Sequence, residues 1–255
     1  MKIYIRGAEP FELGAGRRGV LLVHGFTGTP FEMRPLGEGL AAAGYRVVCP
    51  ALAGHATRWE DLEETGWRDW AGSADRAFLR LSGECDKVFI AGISMGGLIT
   101  LKVAAERPGL VTAAAVMAAP LWVSGLNGVF ATAARFTPMR HLWRTVKKPD
   151  PPAGSAREIR DMNPSYDRVP TRSAAEFWDL MAHMRRNARN VTAPVLMIYS
   201  RGDGDVPYIN KWLMGRALGS SLADLMTLDN SPHLMTLGAD APRVIERIGS
   251  FFSRY

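Results

Sequence analysis

Cysteine is nearly absent: the 255 residues hold two, Cys49 and Cys85, in separate segments and without CxxC or Cys/His spacing. Neither a disulfide framework nor a zinc site is therefore expected, and no other metal or cofactor motif stands in their place. Long apolar runs are also missing, with nowhere eighteen consecutive apolar residues, so no stable membrane insertion is expected. Met1-Lys2-Ile3-Tyr4-Ile5-Arg6 leads into a charged, Gly-rich stretch instead of a secretory apolar segment, which makes a soluble, cytoplasmic protein the expectation. The charge is mildly basic, 31 Lys plus Arg against 25 Asp plus Glu for +6 at pH 7, but no dense basic run with interleaved aromatics accompanies it. Nucleic acid is not an expected partner.

What the sequence does have is enough apolar material, 47% of residues, for one substantial core. From residue 19 onward, short β-rich runs (19–24, 45–50, 87–93, 112–118, 194–200 and 223–228) alternate with helical patterns (31–43, 69–82, 95–107, 209–218 and 242–252). That alternation predicts a mostly parallel sheet covered by helices on both faces. It breaks between 121 and 191, where no useful β-run occurs. A helical insertion is expected there, dividing a core of 1–120 and 192–255. Its helix at 173–187 carries Trp178, Leu180, Met181 and Met184 as a stripe suited to packing on the domain below.

Gly92-Ile93-Ser94-Met95-Gly96 matches G-x-S-x-G at a strand-to-helix junction, the context in which a serine is lifted into the open by a sharp turn. Gly92 and Gly96 lack the Cβ atoms that such a turn would reject. The second Gly-rich loop, His24-Gly25-Phe26-Thr27-Gly28-Thr29-Pro30, follows the first strong strand and precedes a helix. Acyl transfer needs two N–H donors aimed at an oxyanion, and the main-chain N–H groups of Phe26 and Met95 are the candidates.

A serine hydroxyl needs a positioned base, and histidine has the suitable pKa. Of five histidines, His24 belongs to the oxyanion loop, His55 to a Gly-flanked loop, and His141 and His183 to the insertion. His233 alone follows the last strand, at the sheet edge where ligand chemistry gathers. Among the acids, Asp203 comes first after the strand at 194–200, Asp205 lies nearer the next helix, and Asp229 is a third candidate. The chain order Ser94, Asp203, His233 fits a hydrolase triad.

With these residues in place the chain resembles bacterial carboxylesterases and monoacylglycerol lipases of the α/β-hydrolase superfamily. The likeness is carried by His24 to Pro30, Met33-Arg34-Pro35-Leu36, Gly54-His55, Trp59-Glu60-Asp61, Asp69-Trp70, Gly92 to Gly97 and His233 with Thr236-Leu237. It implies an α/β-hydrolase fold with a small helical cap, and an acid three residues before Val206-Pro207, which selects Asp203. It also implies a cap acid that holds the substrate's alcohol part, here Asp167, one methylene shorter than the family's glutamate. Where relatives read Pro-Gly-His-Gly, this chain has Ala53-Gly54-His55-Ala56. Gly25, Asp167 and Trp122 are the candidate substrate contacts. Trp122, Leu126, Phe130, Phe136, Trp143 and Trp178 either line an acyl pocket or form the cap's own core, the latter preferred.

The expected function is hydrolysis of short- to medium-chain carboxylic esters, monoacylglycerols included, through an acyl-enzyme, with a small-molecule ester as partner. Thioester or carbon–carbon bond hydrolysis on the same fold, and a non-catalytic small-ligand binder, are the alternatives. Oligomeric state is left open.

Overall fold

The computed structural model describes residues 3–123, 125–138, 143–150 and 154–255. Seven strands form the main sheet in the order β1-β3-β2-β4-β5-β8-β9. They are β1 (Phe11–Leu13), β2 (Arg18–Val23), β3 (Arg46–Cys49), β4 (Lys87–Ile93), β5 (Val111–Met117), β8 (Val195–Ser200) and β9 (Leu222–Leu228). All neighbours are parallel except β1, which pairs antiparallel with β3. β4, β5 and β8 are almost wholly buried, and this is why their sequences read as continuous apolar runs instead of alternating ones. β9, at the edge, alternates between more and less exposed positions.

Helices α1 (Arg34–Ala42), α3 (Trp67–Glu84), α4 (Met95–Glu106), α8 (Asn210–Leu218) and α9 (Ala241–Ser253) connect or follow these strands, with the short α2 (Trp59–Glu63) ahead of α3. α4 is apolar on nearly every side and buries Leu98, Ile99, Leu101, Val103 and Ala104. It packs on β4 and β5, on α3 and on the later helix at Thr171–Asn187. The sheet order and helix layers are those of the α/β-hydrolase fold.

Between β5 and β8 the chain forms α5 (Gly125–Phe136), α6 (Ser155–Met162) and α7 (Thr171–Asn187), together with a two-stranded antiparallel ribbon of β6 (Thr145–Lys147) and β7 (Arg168–Pro170). The ribbon departs from the expected all-helical insertion; runs of three residues leave too short a period to read. On α7, Leu180, Met181 and Met184 are buried in the main core, so the stripe packs downward as expected. The insertion's own small cluster is Ala134, Ala174 and Ala175 with Phe130 and Val169 against it. The preferred assignment of its aromatics to a cap core holds for Phe130 and is corrected for Trp122, Phe136 and Trp143, which are exposed by 46, 61 and 64%. Trp178, half-buried, meets Phe136 edge to face at 4.8 Å.

Candidate active site

Register aligns the carboxyl ends of the central strands. Val23 pairs with Gly92, Ile93 with Met117, Met117 with Ile198 and Ser200 with Leu228. The loops after β2, β4, β8 and β9 therefore emerge along one edge, carrying residues 24–29, Ser94, Asp203 and His233.

Ser94 takes φ 56° and ψ −122°, a left-handed backbone that strains any residue other than glycine. It is held by its N–H on the Met117 carbonyl at 2.8 Å, while its own carbonyl accepts from Gly97 and Leu98 at the head of α4. The flanking glycines are sterically required. A Cβ on Gly92 would lie 2.3 Å from the Gly96 carbonyl oxygen, and one on Gly96 2.1 Å from that of Val23.

Met95 is the first residue of α4, so its N–H has no partner inside the helix. The Phe26 N–H donates to no group among the described residues. A Cβ built on Gly25 would meet the Ser94 Cβ at 3.6 Å, so the loop after β2 runs directly beside the serine. The Phe26 ring is stacked on Phe177 of α7 at 5.1 Å and also touches Trp70 and His55. Phe177 gave no signal in the sequence beyond its place one residue before Trp178.

Asp203 and His233 meet: His233 Nδ1 lies 2.9 Å from Asp203 Oδ2, with 2% of the acid side chain and 16% of the ring exposed. Asp203 Oδ1 accepts the N–H groups of Asp205 and Val206 at 2.8 and 2.9 Å. Burial opposes the Asp203 charge, yet the imidazole facing it and these N–H donors hold its pKa below the usual carboxylate value. Burial likewise opposes charge on His233, but Asp203 foremost, with Asp205 and Glu32, lifts its pKa above the ordinary histidine value. The Ser200 hydroxyl donates to the Ser231 carbonyl at 2.6 Å and stitches the two loops together. Asp203, Asp205 and His233 present ligand atoms within 4.8 Å of one another, but the Asp203 oxygens are already filled as described.

Of the other histidines, His24 accepts the Leu52 N–H on Nε2 at 3.2 Å and donates from Nδ1 to the Gly25 carbonyl at 3.0 Å, a neutral structural role. Burial pushes its pKa down to about 4. His55 donates to the Ala53 carbonyl and is lowered further by burial. Ala56 adopts φ 63°, so the loop keeps a glycine-like backbone although glycine is missing there. His183 stacks on Trp67 at 4.9 Å, and His141 lies outside the described residues. Asp229 is paired with Arg201 at the surface.

Asp167 stands beside β7, at the foot of the insertion's ribbon. It is exposed, and its carboxylate is taken by the adjacent Arg168 at 3.1 Å. Trp122 is pinned through its main chain, whose N–H and carbonyl both bond the Asn210 side chain at 2.8 Å. Sequence reasoning also passed over Tyr166, whose hydroxyl donates to Gly54 O at 2.8 Å and accepts the Thr57 N–H, tying the insertion to the His55 loop.

A sheet of this order, with a strained serine at the β4–α4 turn and an Asp–His pair at the same edge, defines a hydrolase of the α/β-hydrolase superfamily. The chain belongs to the Hydrolase_4 family, described as serine aminopeptidase, S33, whose pattern matches residues 14–239. It is similar to a thermostable monoacylglycerol lipase of Bacillus sp. (strain H-257), 35% identical over 98% of this chain and 96% of that one. A carboxylesterase of Bacillus subtilis (strain 168) is 24% identical over 96% of each. A solved structure from work on LipS and LipT, two metagenome-derived lipolytic enzymes, superposes with a TM-score of 0.88 at 30% identity, covering 99% of this chain and all of the other. Among the described residues no helix is long and apolar enough to cross a membrane.

Proposed function

We propose that this hydrolase cleaves carboxylic esters of short to medium acyl chain, monoacylglycerols among them, through Ser94, His233 and Asp203. Ser94 Oγ bonds to the ester carbonyl carbon as His233 Nε2 takes its proton. The negative charge that develops on the carbonyl oxygen is met by the N–H groups of Phe26 and Met95. His233 then protonates the departing alkoxide, leaving an acyl group on Ser94. Water, deprotonated by the same imidazole, releases the carboxylic acid and restores the serine. Asp203 keeps the proton on Nδ1 and stabilises the imidazolium in both steps.

The observation that carries this reading is the 2.9 Å Asp203–His233 bond at the strand edge where the strained Ser94 stands. The names of the two Bacillus relatives support the substrate class. In the same reading, residues 121–191 form a cap over an acyl site, supported by the stacking of Phe177 on Phe26.

p-Nitrophenyl esters and monoacylglycerols of increasing chain length, assayed beside thioesters and aminoacyl p-nitroanilides, test the proposal. Oxygen esters turned over with the highest kcat/KM support it. Preference for the anilide, as the family's description would suggest, or for the thioester, overturns it.

A further inference from the structure

Ester cleavage as described leaves Glu32 without a task. Yet this acid is only 4% exposed and lies under the loop assigned to the oxyanion. Its carboxylate is met by donors on both oxygens. Oε2 accepts the Gly25 N–H at 3.0 Å, and Oε1 accepts from Asn163 Nδ2 at 3.1 Å. Its main-chain carbonyl accepts the Thr236 hydroxyl at 2.6 Å, three residues past His233.

The loop is built around this group. A Cβ on Gly28 would stand 2.1 Å from Oε1, and one on Gly25 3.2 Å from Oε2, so the carboxylate occupies the space that two side chains would otherwise fill. The insertion joins at the same place: beyond Asn163, the Tyr166 N–H donates to the Thr27 carbonyl at 3.2 Å. Burial pushes the Glu32 pKa up, while Asn163, the Gly25 N–H and the charges of Lys148 and His233 pull it back down. Those are the groups that face it, and the buried Cys49 at the end of β3 feels its charge in turn. A carboxylate buried without an ion-pair partner lowers folding stability unless its hydrogen bonds compensate, so stability alone is a weak reason for its presence.

We propose that Glu32 is a positioning residue of the esterase: it fixes Gly25 so that the following N–H, that of Phe26, stays aimed at the oxyanion. Through Asn163 it also ties the insertion to that loop. This role presupposes the esterase reading above, and it acts through the transition state, since an oxyanion donor is used most when charge has developed.

Glu32→Gln and Glu32→Ala separate charge from geometry. Glutamine keeps an oxygen for the Gly25 N–H, and its amide donates to Asn163 Oδ1 once that amide turns over; this oxygen has no partner among the described residues. On a p-nitrophenyl ester, Glu32→Ala is expected to lower kcat by about 10- to 100-fold with KM changed less than about threefold. Glu32→Gln is expected to keep kcat within about threefold and to move the acid limb of kcat/KM to lower pH, because one negative charge facing His233 is removed. Equal kcat in Glu32→Ala and the parent overturns the proposal. If Glu32→Ala does not fold, Glu32→Asp, whose carboxylate stops one methylene short of the Gly25 N–H and Asn163, takes its place, and a kcat equal to the parent's there overturns the proposal in the same way. Ser94→Ala is assayed in parallel: activity there defeats the esterase reading itself, whereas an inactive Ser94→Ala beside a fully active Glu32→Ala defeats only the role of Glu32.

Discussion

Asp203 spends one carboxylate oxygen on two main-chain N–H groups and the other on His233 Nδ1, so the ring proton sits on Nδ1 and Nε2 is left as the free base. Asp205, the neighbouring acid, is exposed, and the ring's Nδ1 bonds Asp203 instead. Asp203→Asn is thus expected to lower kcat by about 10⁴-fold by favouring the wrong tautomer, while Asp205→Asn stays within about tenfold. Steady-state kcat of the two variants on one ester checks the assignment; equal losses would reverse it.

The pH dependence follows from the same pair. In the proposed mechanism His233 must be neutral, and its pKa is raised, chiefly by Asp203 acting against burial. Activity is therefore lost as pH falls, and the midpoint of that loss in kcat/KM is expected above the ordinary histidine value of 6.5. Asp205→Asn removes a further negative charge near the ring and is expected to move the midpoint down. A pH–rate profile from pH 5 to 10 on parent and variant measures both.

Backbone sterics give the third prediction. Gly96→Ala puts a Cβ 2.1 Å from the Val23 carbonyl oxygen, which belongs to a central strand and has no room to yield. A loss of about 3 kcal/mol or more in unfolding free energy is expected, or failure to fold. Gly83→Ala, on the open side of α3 with nothing near its Cβ, is the control, expected to be neutral or slightly stabilising in urea unfolding.

Two buried neutral histidines make the fold acid-labile. His24 titrates near 4 in the folded chain and near 6.5 when unfolded. Between those values the unfolded state takes up a proton that the native state refuses, so the His24 contribution is full above pH 6.5 and falls by about 3 kcal/mol toward pH 4. His55 shifts the same way and adds to the loss. His233 shifts the opposite way and acts only above pH 6.5, and Asp203 acts only below about pH 4, so neither cancels this window; Glu32, its pKa raised by burial, opposes the histidines from about pH 4.5 upward, and the comparison of parent with variant isolates His24 from it. Urea midpoints measured across pH 4 to 7 on parent and His24→Asn report it, the variant showing the shallower slope.

Much of this was legible because buried parallel strands announce themselves: Val20 to Val23 and the Val195 to Tyr199 run are apolar at every position, since both faces are covered. Ser94 with its flanking glycines was legible for a similar reason, a steric demand that only glycine meets. β1 and the β6–β7 ribbon were not, because three residues carry no readable period and their pairing is set by distant partners. Trp122, Phe136 and Trp143 misled because aromatic residues are counted as core until the surface is known. Glu32 was invisible for a deeper reason. An acid beside Pro30 and Phe31 reads as the first turn of a helix, and only folding brings Gly25, Asn163 and Thr236 around it.

Covalent labelling reaches the chemistry most directly. The protein is treated with a fluorophosphonate, digested, and the adduct mapped by mass spectrometry in the parent, Ser94→Ala and His233→Ala. A single adduct on Ser94, absent from Ser94→Ala and slowed at least about 10³-fold in His233→Ala, is the expected result. An adduct on another residue, or labelling of Ser94 that is as fast without His233, would contradict a nucleophile activated by that imidazole.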